Sequence, residues 1–299
     1  MRGFFEKKLN PALFPIGGRI DLSCFSENKS FFDYISKCAS EANKTHDRNT
    51  PTFKLWHLNQ ALESFSKTNN LLTFYELDQP TPSEINAAKN ADKLFFTNKY
   101  TQNIFNQYGV ESSLVPLAFD KYSFKTLNKK FFEDDRIVFN LCGKFEKRKH
   151  HEKIIKAWSK KFGNNKKYYL QCAVFNPFID EKKNRDNFVR SVEGKNYSNI
   201  QFLGHMPNNG LYNDFLNSGN IIIGMSGAEG WGLPEFQSLA IGKHGVILNA
   251  HAYQEWANEK NSVLVEPMTA SSFTPIKSGT KVISLTSRRT TLSLRVKKP

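Results

Sequence analysis

The sequence predicts an α/β protein built as two Rossmann-like domains that face a cleft. Three observations predict it. Short apolar runs alternate with stretches of helical length, the pattern that parallel strands with crossover helices produce. A charged, Phe-rich connector at 120–135 interrupts the alternation near mid-chain, after which it restarts. The 299 residues suit two domains of about 100–150 residues each.

In the first domain, 1–134, the apolar runs place strands at 12–16, 53–58, 71–75, 94–97 and 113–115. Helices are expected at 30–43, 83–90 and 99–108, the last stopped by Gly109, a residue suited to a helix C-terminus. The connector carries Lys129-Lys130 and Glu133-Asp134-Asp135 and marks the boundary. In the second domain, 135–268, strands are expected at 136–142, 168–174, 199–203, 220–224, 245–248 and 262–265. Helices at 150–162, 185–192, 208–216 and 233–241 separate them. A cleft between two such domains is the default ligand site. From 269 to 299, Ser, Thr, Lys and Arg dominate and no helical face can be drawn, so a disordered tail is expected.

Composition narrows the classes. No run approaches the roughly 18 apolar residues that span a bilayer, and the start, Met1-Arg-Gly-Phe-Phe-Glu-Lys-Lys, lacks a signal-peptide apolar core. The four cysteines, Cys24, Cys38, Cys142 and Cys172, show no CxxC spacing. They read as small hydrophobes in a reducing, cytoplasmic setting. The net charge is +14, but seven of those charges lie after Pro267, which leaves +7 on the other 266 residues. A mildly basic body suits phosphate-bearing donors, or peripheral contact with anionic lipid. A nucleic-acid reading through the basic tail has no zinc, helix-turn-helix or RNA-recognition signature behind it.

The segment that carries chemistry is Ser226-Gly-Ala-Glu-Gly-Trp-Gly-Leu-Pro-Glu-Phe-Gln237. It follows an expected strand and opens an expected helix, with Pro234 in the first turn. Gly230 and Gly232 let backbone approach a ligand closely, and the free N–H groups of a helix start attract an anion. Glu229 can accept hydrogen bonds from sugar hydroxyls.

That string resembles the S-x-x-E-G-(F or W)-G-L-P-x-x-E signature of the retaining GT-B glycosyltransferases. The resemblance implies that Glu229 contacts the donor sugar, and that the backbone of Gly230, Trp231, Gly232 and Leu233 binds its diphosphate. The family's second acid, which grips the nucleotide ribose, is replaced by Gln237. Gln237 can still hydrogen-bond a hydroxyl without charge assistance. A second stretch, Asn140-Leu-Cys-Gly-Lys-Phe-Glu-Lys-Arg-Lys149, resembles the loop that opens the family's donor domain. It implies that Gly143 and Lys144, then Lys149 or its neighbour Arg148, neutralise the leaving diphosphate. Such cations supply the stabilisation that a metal gives in other transferases, so no metal and no cofactor beyond the nucleotide-sugar substrate are expected. His205 and Met206, after the strand at 199–203, stand where the family places the nucleotide base.

The first domain resembles the acceptor side of this fold with departures. Where many relatives carry a His after the strand matching 71–75, this chain has Tyr75-Glu76. Glu76 and His57, at strand ends, are the candidates to face the cleft. The family's opening strand and Gly-rich loop have no counterpart in Met1–Asn10, so the expectation is an N-terminally incomplete domain. The expected activity is transfer of a sugar from a nucleotide-diphosphate sugar to an unknown glycan, lipid or protein, with retained configuration. An alternative is a donor-binding remnant without turnover.

Overall fold

The computed structural model describes residues 1–267 other than 19, 26, 27 and 60, and the backbone of 283–286 and 291–294. Two parallel sheets organise it. The first contains β1 (Thr52–Leu55), β2 (Asn69–Thr73), β3 (Lys93–Phe96) and β4 (Ser113–Leu114), hydrogen-bonded in that order. Helices α1 (Arg2–Glu6), α2 (Lys29–Ser40) and α3 (Ala42–Thr45) precede it, and α4 (Pro82–Lys89) and α5 (Lys99–Asn106) join its later strands. Leu71, Leu94 and Phe96 on the sheet pack with Ile104, Phe105 and Tyr75 in one buried cluster.

The second sheet contains β5 (Ile137–Cys142), β6 (Tyr168–Ala173), β7 (Ile200–Phe202), β8 (Ile221–Gly224), β9 (His244–Leu248) and β10 (Ser262–Val265). Its spatial order is β10-β9-β8-β5-β6-β7, with every pairing parallel. Interleaved are α6 (His151–Phe162), α7 (Glu181–Ser191), α8 (Asn209–Ser218) and α9 (Leu233–Ala240). The chain starts at the centre with β5, moves outward through β6 and β7, then returns to the other flank of β5 with β8. That reversal makes a switch point between β5 and β8, where doubly wound sheets bind ligands outside the strands' carboxyl ends. Central strands are apolar because both faces are covered. Leu141, Leu170, Cys172, Ile222 and Ile247 are buried with Ile155 and Trp158.

Local signals explain the helix starts. Thr81 and Glu84 form a reciprocal capping box at α4, with Pro82 in its first turn. Asn28, Asn98, Asp180 and Asn208 each cap a helix through a side-chain oxygen. The connector at 120–135 is strapped to the second domain. Lys125 and Leu127 N–H groups donate to Asn213 and Asn217 at 3.1 and 2.8 Å, and Phe124 packs with Phe215, Leu216 and Ile241.

Three expectations change. The stretch 12–16 forms no strand: Pro11 and Pro15 remove two ladder donors while keeping the backbone extended. The single helix expected at 30–43 is two, α2 and α3, meeting at Glu41. Within the tail, β11 (Ile283–Thr286) and β12 (Thr291–Leu294) pair antiparallel, where the sequence pattern gave no element. The rest of 269–299 lies outside the described residues. No helix among the described residues is long and apolar enough to cross a membrane.

Candidate functional site

The loops leaving β5 and β8 are laced together at the switch point. The N–H of Gly227 donates to the carbonyl of Arg148 at 2.8 Å. The ring Nδ1 of His150 bonds the Met225 carbonyl at 2.9 Å, with His150 itself at φ +57°. This lacing brings Lys149 and Arg148 onto Glu229, 80 residues further along the chain. Lys149 Nζ forms an ion pair with Glu229 Oε1, and Arg148 Nη1 lies 3.4 Å from the same oxygen. Glu229 is 6% exposed and Lys149 9%. Arg148 also reaches Glu76 of the first domain at 3.1 Å and Glu146 at 3.0 Å.

The electrostatics follow from this crowding. Burial opposes the charge on Lys149, but Glu229 and Glu235 outweigh it and hold its pKa above the ordinary lysine value. Arg148 follows the same pattern, with burial opposed by Glu229, Glu76 and Glu146. Burial raises the Glu76 carboxyl, and Arg148 offsets part of that rise. Deeper still, Glu235 is 3% exposed, and burial pushes its pKa up to about 7. It fits only because two neighbours lack side chains. A Cβ on Gly224 would stand 2.6 Å from Glu235 Cγ, and one on Gly232 would stand 3.3 Å from Glu235 Oε2.

Beside this charge cluster, α9 opens without a side-chain cap, its first flanking residue being Gly232 at φ +80°. The backbone N–H groups of Gly230, Trp231, Gly232 and Leu233 have no hydrogen-bond partner among the described residues. A row of open amides at a helix start is an anion cradle. A Cβ on Gly232 would sit 2.3 Å from the Tyr253 ring, and one on Gly230 would sit 2.9 Å from Phe74 Cβ. The Trp231 indole is buried against Phe236, and its carbonyl accepts from Trp256 Nε1 at 3.0 Å. Its backbone N–H is open, and its indole Nε1 is buried with no hydrogen-bond partner among the described residues.

A cavity of about 360 Å³ opens at the end of β5, lined by Cys142, Gly143, Lys144, His205, Met206 and Tyr212, with Cys24 of the first domain on one wall. Gly143 turns at φ +117°. Lys144 pairs with Glu146 at 3.1 Å and lies over the Phe178 ring. Gln237 Oε1 accepts a hydrogen bond from the Tyr212 hydroxyl at 3.0 Å.

Of the residues singled out in the sequence, Glu229, Lys149, Arg148 and Glu76 share one contact network, and the residues 230–233 adjoin it. Gly143, Lys144, His205 and Met206 share the cavity, which Gln237 borders through Tyr212. His57 does not join them: it is exposed after β1 with its ring against Trp56. Leu233 has an exposed side chain and offers only its backbone. Sequence reasoning missed Glu235, Tyr212, Thr97 and Asn98. For Glu235 a signal existed, since the motif lacks its second acid at position 237 and carries one two positions earlier.

This fold is the GT-B fold of nucleotide-sugar glycosyltransferases, seen in solved structures that share little sequence with the chain. Sucrose-phosphate synthase of Thermosynechococcus elongatus matches with a TM-score of 0.59 at 14% identity, over 80% of this chain and 66% of that one. The α,α-trehalose 6-phosphate synthase of Burkholderia multivorans matches at 0.58 and 13%, over 83% and 66%. HepE of Anabaena, solved with UDP-glucose, matches at 0.57 and 14%, over 67% and 58%. The chain thus spans less than two thirds of the length of these proteins. No family model matches it, and no curated protein sequence does either.

Proposed function

We propose that the chain binds a nucleotide-diphosphate sugar at the β5–β8 switch point and transfers the sugar to an acceptor with retention of configuration. The observation that carries this reading is the convergence of Glu229, Lys149 and Arg148 with four open amides. The anomeric C–O bond breaks and negative charge develops on the departing diphosphate. Lys149, Arg148 and Lys144 lie along the path of that charge, and pre-positioned cations stabilise a leaving group without reorganisation. Within the chain alone, Lys149 is engaged by Glu229. Donor phosphates compete for that ammonium and release the Glu229 carboxylate to the sugar hydroxyls. Gly230–Leu233 amides hold the diphosphate, and the cavity beside Lys144, His205 and Met206 takes the nucleoside. HepE binds UDP-glucose, which supports a nucleotide-sugar donor here. The acceptor class, a glycan, lipid or protein, and any contact with anionic membrane surfaces belong to this proposal.

The experiment is to incubate the chain with glucose donors of uridine, guanosine and adenosine diphosphate together with a panel of simple acceptors. The anomeric configuration of the product is then read by proton NMR. Retained α-configuration supports the proposal, and an inverted product contradicts it. A second reading, donor binding without turnover, is favoured by one observation. Gln237 spends its carbonyl on Tyr212, so the ribose grip lacks a charged acceptor. Nucleotide binding in the absence of transfer or donor hydrolysis selects that reading.

A further inference from the structure

Two side chains at the end of β3 reach across the cleft and hold the donor motif by its backbone. Thr97 Oγ1 donates to the Gly230 carbonyl at 2.6 Å, and Asn98 Nδ2 donates to the same oxygen at 3.0 Å. Both residues are 1% exposed. The next two residues extend the contact. The Lys99 N–H donates to Glu255, and the Tyr100 ring stands edge-on to His251 with centroids 4.8 Å apart. Phe74, just past β2, closes the other side, because Gly230 has no room for a Cβ against it.

The geometry points to Thr97 and Asn98 as positioning residues that aim the Gly230–Trp231 peptide for the donor diphosphate. The inference rests on the donor-site reading above. All peptide bonds of the described chain are trans, so the Gly230 carbonyl and the Trp231 N–H lie in one plane and point in opposite directions within it. Fixing the carbonyl toward the first domain turns that N–H away from it, where it has no partner among the described residues. Gly230, on one side of this peptide, has no side chain to restrict its rotation in the absence of a clamp. With two buried donors on one oxygen, rotation leaves the Thr97 hydroxyl without that acceptor and Asn98 Nδ2 with Thr97 Oγ1 alone, which disfavours it. Contact between the domains and orientation of the phosphate cradle are therefore one event. A donor that binds the oriented amide favours the closed arrangement by its differential affinity.

Calorimetry on the full chain tests this with Thr97→Val, Thr97→Ser and Asn98→Asp. Thr97→Val keeps shape and removes the hydroxyl. Asn98→Asp keeps the oxygen that caps α5 at Thr101 and replaces the N–H donor with an acceptor. The probes are the nucleotide-diphosphate sugar that the unaltered chain binds best and the matching nucleoside monophosphate. Affinity for the sugar nucleotide falls about tenfold in Thr97→Val and in Asn98→Asp, the scale of one lost hydrogen bond. Thr97→Ser restores it, and monophosphate affinity stays within about twofold throughout. Unchanged sugar-nucleotide affinity in both folded variants overturns the positioning role and leaves the donor site standing. Equal loss for both probes also overturns it, since a general packing defect would act on both. A native chain that binds no sugar nucleotide defeats the donor reading itself.

Discussion

At the scale of single residues, the proposed donor site turns on the Lys149–Glu229 pair. Both partners are buried, and such a pair is costly to break on one side because the other charge is left without compensation. Lys149→Met should therefore lower stability by about 3–5 kcal/mol, measured by urea unfolding. Adding Glu229→Gln to that variant should recover a substantial part of the loss, giving a double-mutant cycle far from additive. Strict additivity would show that the two groups do not interact in solution. Glu229→Gln alone keeps the shape, and its predicted phenotype is a loss of turnover on the order of a hundredfold. Affinity for the free nucleoside diphosphate should change by less than about threefold. A parallel collapse of nucleotide affinity would place Glu229 on the phosphates instead of the sugar.

At the scale of elements, the turn from β8 into α9 depends on glycines that have no substitutes. Gly232 and Gly242 have similar left-handed conformations, φ +80° and +89°, but different surroundings. A Cβ on Gly242 meets nothing within 4 Å, whereas one on Gly232 strikes the Tyr253 ring. Gly242→Ala should cost about 1 kcal/mol from backbone strain alone. Gly232→Ala adds an overpacking penalty for about 3 kcal/mol in total, and it abolishes sugar-nucleotide binding. Equal melting temperatures for the two variants would mean that the Tyr253 wall yields freely. This turn was readable from sequence because its chemistry is local: strand, glycines, Pro234, helix. The stretch 12–16 was misread for a local reason too, since an apolar run between Pro11 and Pro15 looks like a strand until its missing donors are counted. Thr97 and Asn98 left no trace in the sequence. Their partner is a backbone carbonyl more than 130 positions away, and every residue has one.

At the scale of the whole molecule, stability should respond to pH through the carboxyl buried between the two glycines. Glu235 keeps its proton to about pH 7 in the fold, against an ordinary value of 4.5. Between those values the folded chain holds a proton that the unfolded chain has lost, so stability falls as pH rises through that window and levels off above it. His151 acts in the opposite sense. Burial lowers its pKa to about 3 from 6.5, so its contribution grows as pH rises between those two values. The two overlap, and comparing a variant with the native chain separates them. Glu235→Gln should raise the melting temperature relative to the native chain clearly at pH 8 and little at pH 5. The same difference at both pH values would remove Glu235 from the account. The two-sheet architecture was legible in the alternation of apolar and amphipathic segments. How the two halves touch was not, because the contacts join positions that no periodic pattern relates. The central claim is that the switch point is a sugar-nucleotide site, and titration calorimetry with UDP-, GDP- and ADP-glucose tests it most directly. At least one donor should bind saturably, and Lys149→Met should weaken that binding at least tenfold in a folded sample. Absence of binding by all three to the folded native chain would contradict it.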